Sequence, residues 1–229
     1  VGRDLTGEWR QRAPAAYRAQ VNGGGLAGVA QVLCDGGGHG SALVQRGGQG
    51  REALDDAIDL TRTVGWFTSV FPVHLAPAAD IGSSIKRIKE QLRAAPNKGL
   101  GFGVLRYLAG AHVRQAIDAL PVPRVTFNYL GQFDGSFDAE QGALFTPAQE
   151  SAGEEQSPSA PLGNLLTVNG RVYDGELSLS WTFSGERFEQ AAMQALADAY
   201  GVALRRVVEH CCQADSQGVT PSDFPLARL

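Results

Sequence analysis

A chain of 229 residues can bury a substantial core, either as one large domain or as two small ones. Its net charge of -4 argues against a nucleic-acid surface, which clusters Lys and Arg. No eighteen apolar residues run together, and the opening VGRDLTGEWRQ lacks a basic-then-apolar signal pattern, so no membrane partner is expected and a cytoplasmic location is.

Three cysteines, two of them adjacent at Cys211 and Cys212, make neither a disulfide framework nor a C-x-x-C metal site, and free thiols are expected. Glycine is the compositional anomaly. Against a usual share of roughly 7 %, the chain has 29 in 229, and eleven of them lie between Gly23 and Gly50.

In chain order, residues 13–34 read as helix at both ends, with Tyr17, Val21, Ala27, Ala30 and Leu33 near helical spacing. Gly23, Gly24 and Gly25 interrupt the pattern at a cost of about 3 kcal/mol, so either the helix breaks there or tertiary packing holds a poor sequence in place. Gly36 to Gly38 with Gly40 predict a turn into a short strand, Ser41 to Gln45. Val64 to Leu75 is aromatic and β-branched and predicts a mostly buried strand that bends or ends near Pro72. Ser83 to Arg93 predicts an amphipathic helix with Ile85, Ile88 and Leu92 on one face, stopped by Pro96. Val104 to Leu120 gives a further helical pattern.

The run VTFNYLGQF, residues 125–133, reads as a strand. Alternation puts Val125, Phe127 and Tyr129 on one side and Thr126, Asn128 and Leu130 on the other, so Asn128 faces away from the aromatic core. A buried Asn on a strand needs hydrogen-bond partners and is either a structural clamp or a site group; Tyr129 suits the core.

Residues 134–163 are polar and read as a long exposed loop, in which Glu154 and Glu155 form a solvated pair. Strand signals follow from Leu165 to Phe183, with Asn169-Gly170 and Asp174-Gly175 both suited to tight hairpin turns. A helix from Glu186 to about His210 is expected to bury Phe188, Ala192, Ala195, Ala199, Ala203 and Val207, and residues 213–229 read as a linker or tail after a domain of residues 1–212. The order predicts a mixed sheet covered mainly on one face by helices.

Most local chemistry can be set aside. Gly23, Gly25 and Gly28 match G-x-G-x-x-G, but the preceding strand and the acidic residue about 20 positions on are missing. His39, His74, His112 and His210 have no metal-ligand spacing, and no G-x-S-x-G elbow occurs.

Four stretches, in order, resemble motifs of the epimerization domains of nonribosomal peptide synthetases. GGQGRE at 47–52 is similar to the family's EGHGRE, RTVGWFTSVFP at 62–72 to its RTVGWFT, PNKGLGFG at 96–103 to PxxGxGYG, and VTFNYLGQF to FNYLG. The resemblance runs from about Ala15 to the end, including TPSDFPL in the tail. It implies an α/β (α+β) fold like chloramphenicol acetyltransferase, built of two lobes with the active site in a tunnel between them. The family's HHxxxDG motif, with its catalytic histidine, belongs to the first lobe, and no HH pair occurs here; the chain therefore resembles the second, C-terminal lobe.

What the resemblance implies chemically is inversion at Cα, without a cofactor, of an aminoacyl or peptidyl thioester carried on phosphopantetheine. The implied partners are a peptidyl carrier domain, the N-terminal lobe and a downstream synthetase module. Asn128, Tyr129 and Arg51 are the site residues it carries over. The family's acid/base glutamate falls on Gly47 and the motif's histidine on Gln49, so a lobe inactive by itself is expected. The alternative is a condensation-like lobe that docks carriers without catalysis. The family's VNDLLL is VNGGGL here. Deliberate substitution, natural degeneration, or glycine written where side chains were not identified would each leave such a block.

Overall fold

The computed structural model of the protein describes residues 1–51, 57–134, 144–145, 148, 150, 153, 157 and 159–227. The expected pair Glu154 and Glu155 lies outside the described residues. Two helices open the chain, α1 (Arg3–Tyr17) and α2 (Val21–Gly37), followed by strands β1 (Ala42–Gly48) and β2 (Ser69–Leu75). Helices α3 (Ile81–Arg93), α4 (Gly101–Tyr107) and α5 (Ala111–Asp118) lead to β3 (Val125–Gln132), the hairpin β4 (Leu166–Tyr173) and β5 (Glu176–Phe183), and the long α6 (Gln190–Cys212).

The five strands form one mixed sheet in the order β2-β1-β3-β4-β5. β1 and β3 run parallel, as do β3 and β4, while the two outer pairs are antiparallel. The expected mixed sheet flanked by helices is therefore present. Val44, Phe71, Val73, Phe127, Leu166, Val168, Val172 and Leu177 point to one face and are buried with Leu26, Ala30, Tyr200, Leu204 and Val208 of α2 and α6. Fully burying a side chain such as Leu26 or Leu204 contributes about 1.5–3 kcal/mol. The opposite face carries Gln45, Thr126, Asn128, Thr167 and Asn169, in register across β1, β3 and β4.

The glycine trio does not break the helix. The chain breaks at Arg18, which adopts a left-handed conformation (φ 49°) and ends α1, and all three glycines lie inside α2. Aromatic rings occupy the space beside Gly24 and Gly25. A Cβ on Gly24 would sit 3.4 Å from Trp9 Nε1, and one on Gly25 would sit 3.3 Å from Phe127 Cζ and 3.5 Å from the Tyr200 hydroxyl. Packing against rings thus outweighs poor propensity.

Other expectations need correction. Only residues 69–75 of the predicted 64–75 strand pair, and Val64 and Trp66 are 97 % and 91 % exposed. Pro72 does not end β2, because among the described residues β2 is an edge strand with one neighbour and needs no second ladder donor at that position. The predicted 104–120 helix is two short helices separated at Leu108 to Gly110. Asn169-Gly170 is not a turn. It lies within β4, and the single hairpin turn uses Asp174 (φ 50°) and Gly175 (φ 69°). α6 buries Met193, Tyr200, Leu204, Val207, Val208 and Cys211, whereas Ala192, Ala195 and Ala199 are exposed; the larger apolar side chains one position along claim the core.

α3 begins at Ile81 with Asp80 as its N-cap, accepting from the Ser83 amide at 2.8 Å, a cap contributing about 1 kcal/mol. Its far end holds the tail. Residues 216–224, expected as polar linker, pack between α1 and α3, with Ser216 and Thr220 buried. Asp223 is the anchor. Its carboxylate accepts from Lys89 Nζ at 2.5 Å, from Arg93 at 2.7 Å and from the Thr220 amide at 2.8 Å, and its side chain is only 2 % exposed. Lys89 also donates to the Tyr17 carbonyl and Arg93 to that of Arg18. Cys34, Cys211 and Cys212 carry free thiols, as expected.

Candidate functional site: a cleft at the strand ends

A cleft of about 950 Å³ opens where β1 and β3 end. Its walls come from segments far apart in the chain: Gln20 to Asn22 at the start of α2, Gln45 to Gln49 of β1 and beyond, Gly65 to Thr68, Lys98, and Thr126 with Asn128 to Gly131 of β3. All four motif stretches meet there. Of the residues read from the sequence, Asn128, Tyr129, Arg51 and Gly47 all line it.

Asn128 sits on the polar face, where parity places it, and its Nδ2 donates to Asn169 Oδ1 on β4 at 2.9 Å. Tyr129 has the opposite parity and packs edge-on against Trp9, with ring centroids 5.2 Å apart. It still reaches the cleft because β3 stops being regular beside it: the pairing with β4 shifts between Tyr129 and Gln132, and Gly131 takes φ 99°. Burial pushes the Tyr129 phenol above its ordinary range, although nearby Arg10 acts against this. It is a hydrogen-bonding group at neutral pH.

Arg51 is engaged in structure. Its guanidinium lies 4.9 Å from the centre of the Phe67 ring and donates to the carbonyls of Leu60 and Gly65, fixing the segment that carries Trp66 and Phe67. Gly50 makes that approach possible. It has φ 68°, and a Cβ there would overlap the Phe67 carbonyl. Gly47 leaves room of another kind, since a Cβ on it would fall inside the van der Waals sphere of Asn128 Oδ1 and 3.1 Å from its Cγ.

Gln20, Val21, Asn22, Thr126 and Lys98 also line the cleft and were not picked out from the sequence, although Thr126 and Lys98 lie inside motif stretches, at positions given no chemical role there. Trp66 and Phe67 were assigned to a buried strand, although the GWFT stretch itself marked the place. Among the described residues no group of His, Cys, Asp and Glu is placed to hold a metal ion, and no helix is long and apolar enough to cross a membrane.

A five-stranded mixed sheet with helices on one face and a cleft built from these four motifs defines the class: the chain belongs to the Condensation domain family, whose model matches residues 9–229. It is 42 % identical over 222 residues to a linear gramicidin synthase of Brevibacillus parabrevis, covering 96 % of this chain and 4 % of that protein. Surfactin synthase subunit 1 of Bacillus subtilis is 36 % identical over 211 residues, covering 91 % of this chain and 6 % of the relative. Among solved structures, the epimerization domain from the third module of tyrocidine synthetase B superposes with a TM-score of 0.84 at 32 % identity. That match covers 92 % of this chain and 47 % of the other, so this chain spans about half of that domain. A four-domain nonribosomal peptide synthetase bound to AMP and glycine, at 17 % identity and a TM-score of 0.65, shares the fold. The fold is thus that of condensation and epimerization domains, as the resemblance implied.

Proposed function

We propose that the chain is the C-terminal lobe of a nonribosomal peptide synthetase epimerization domain, and that its cleft receives an aminoacyl or peptidyl thioester carried on the phosphopantetheine arm of a carrier domain. The observation that carries this is the convergence of all four epimerization-type motifs on one cleft of about 950 Å³, together with the likeness to the tyrocidine synthetase epimerization domain. Its partners are the carrier, the first lobe and a following module, in the cytoplasm. No cofactor is proposed, because a thioester already acidifies the α-proton for a base and an acid placed on opposite faces.

Within this lobe the described cleft residues offer Asn128 and Tyr129 as hydrogen-bonding groups and Lys98 as a cation. Gly47 supplies neither acid nor base. That favours a lobe that seats the thioester and leaves α-proton exchange to groups outside the chain. The test uses a carrier domain charged with a labelled aminoacyl thioester, mixed with the chain in H2O for NMR and, in a parallel sample, incubated with it in D2O. Binding should shift the NMR signals of the Trp66 indole and the Asn128 amide, with no deuterium entering at Cα. A saturating charged carrier that leaves both signals unmoved refutes the site. Deuterium incorporation by the chain alone refutes the division of labour.

A further inference from the structure

The space at position 47 is occupied. Gly47 is next in register after the pair Arg46 and Phe127, which puts it beside Asn128 on the polar face. The Asn128 carbonyl oxygen lies where a side chain on residue 47 would begin. What holds it there is on the neighbouring strand: Asn169, directly opposite Asn128 in the β3-β4 ladder, accepts from Asn128 Nδ2 at 2.9 Å. With one Nδ2 proton held by Asn169, the amide is turned so that its oxygen is the atom lying over Gly47.

Taking the cleft as the carrier-thioester site proposed above, we propose that Asn169 is a positioning residue. It seats the Asn128 amide over Gly47, so that the cleft presents a fixed neutral acceptor where a carboxylate side chain would otherwise stand. An acceptor at that place suits an N–H donor, such as an amide of the pantetheine arm or of a peptidyl group. Glycine at 47 and the seated amide are then a matched pair. Any side chain at 47 must first displace Asn128 from Asn169, so a carboxylate restored by Gly47→Glu alone meets an occupied position.

A double-mutant cycle on the full chain tests this without any turnover. Gly47→Ala in the wild-type background should raise the unfolding constant about tenfold, because it breaks the Asn128–Asn169 bond and leaves polar groups to be re-satisfied. In an Asn169→Ala background, where Asn128 is free to turn away, the same substitution should cost less than about threefold. Asn169→Asp, which keeps an acceptor, should restore the intolerance. The Asn128 side-chain NH2 resonances should move alike in Gly47→Ala and Asn169→Ala, and stay in place in Asn169→Asp. Additive stability effects, or an Asn128 signal unmoved by Asn169→Ala, overturn the proposal. An N-acetylaminoacyl pantetheine thioester serves as the binding probe: Asn169→Ala should weaken it about threefold to tenfold and Asn169→Asp should not. Equal binding by both variants overturns the recognition role. A wild-type chain that does not bind the probe overturns the carrier-site assignment and leaves the cycle standing on its own result.

Discussion

Asp223→Asn tests what holds the tail, residues 216–224, against the helices. The substitution keeps the shape of the side chain and removes its charge, leaving Lys89 and Arg93 side by side without their anion. The Lys89 side chain is 2 % exposed, so its ammonium loses its compensating charge where water scarcely reaches it. Removing one partner of a buried pair costs about 3–5 kcal/mol. The tail lies at the molecular surface and can peel away to hydrate Lys89, so the loss is limited to the docking energy of the tail, about 3 kcal/mol at the low end of that range. The damage should therefore be local. Hydrogen exchange in residues 216–224 should quicken by about 100-fold, since each 1.4 kcal/mol is a factor of ten, while core amides such as those of Val168 and Val208 change little. Lys89→Met added to Asp223→Asn should recover part of the loss by removing the stranded cation. If exchange in the tail changes by less than about threefold, the ion cluster is not what docks it, and the polar contacts of Ser216, Thr220 and Ser222 are.

Burial alone would raise the Asp223 carboxyl, but hydrogen bonds from Lys89 and Arg93 hold it well below the usual carboxylate range. A depressed folded-state pKa gives stability that is present above the unfolded value and lost as pH falls, so tail docking should weaken progressively below about pH 4; exchange in 216–224 followed from pH 6 to pH 2 should show that slope, and Asp223→Asn should flatten it. Gly23→Ala should stabilise the chain by about 1 kcal/mol in urea titration, because the new Cβ meets only Ala19 Cβ at 3.7 Å inside a helix. Gly28→Ala should gain nothing, since its Cβ would press on the Tyr200 ring at 3.2 Å. Trp66→Ser should reduce self-association in sedimentation, since the exposed Val64 and Trp66 form an apolar surface beside the cleft; a wild-type chain that stays monomeric at high concentration contradicts this.

Where the information was local, the sequence was readable. Strand signals from Leu165 to Phe183 marked the region of the hairpin, although only Asp174-Gly175 of its two candidate turns is one, and parity alone put Asn128 on the polar face and Phe127 in the core. The glycines of α2 were misleading, because propensity counts only the chain's own cost, and the rings of Trp9, Phe127 and Tyr200 that repay it come from elsewhere in the chain. Tyr129 reached the cleft through a bulge that no residue pattern announced beyond Gly131. The motifs marked Arg51 as a candidate site residue without revealing that its guanidinium is occupied by Phe67 and two carbonyls. Gln20 and Asn22 were not picked out as cleft residues, and Lys98 stood inside PNKGLGFG without a role, because nothing but the completed fold brings them together.

The parallel pairing of β1 with β3 carries a kinetic consequence. Val44 and Val125 are paired across a long stretch of chain, while the β4-β5 hairpin closes through a two-residue turn. Loop-closure entropy grows with the length enclosed, and long-range parallel pairings are slow to form. The hairpin and α6 can assemble early, whereas the seam between β1 and β3, where the cleft lies, has to wait for the intervening helices. Residues such as Gly47 and Asn128 thus belong to the part of the lobe that is completed late, and their amides should be among the last to gain protection as the chain folds.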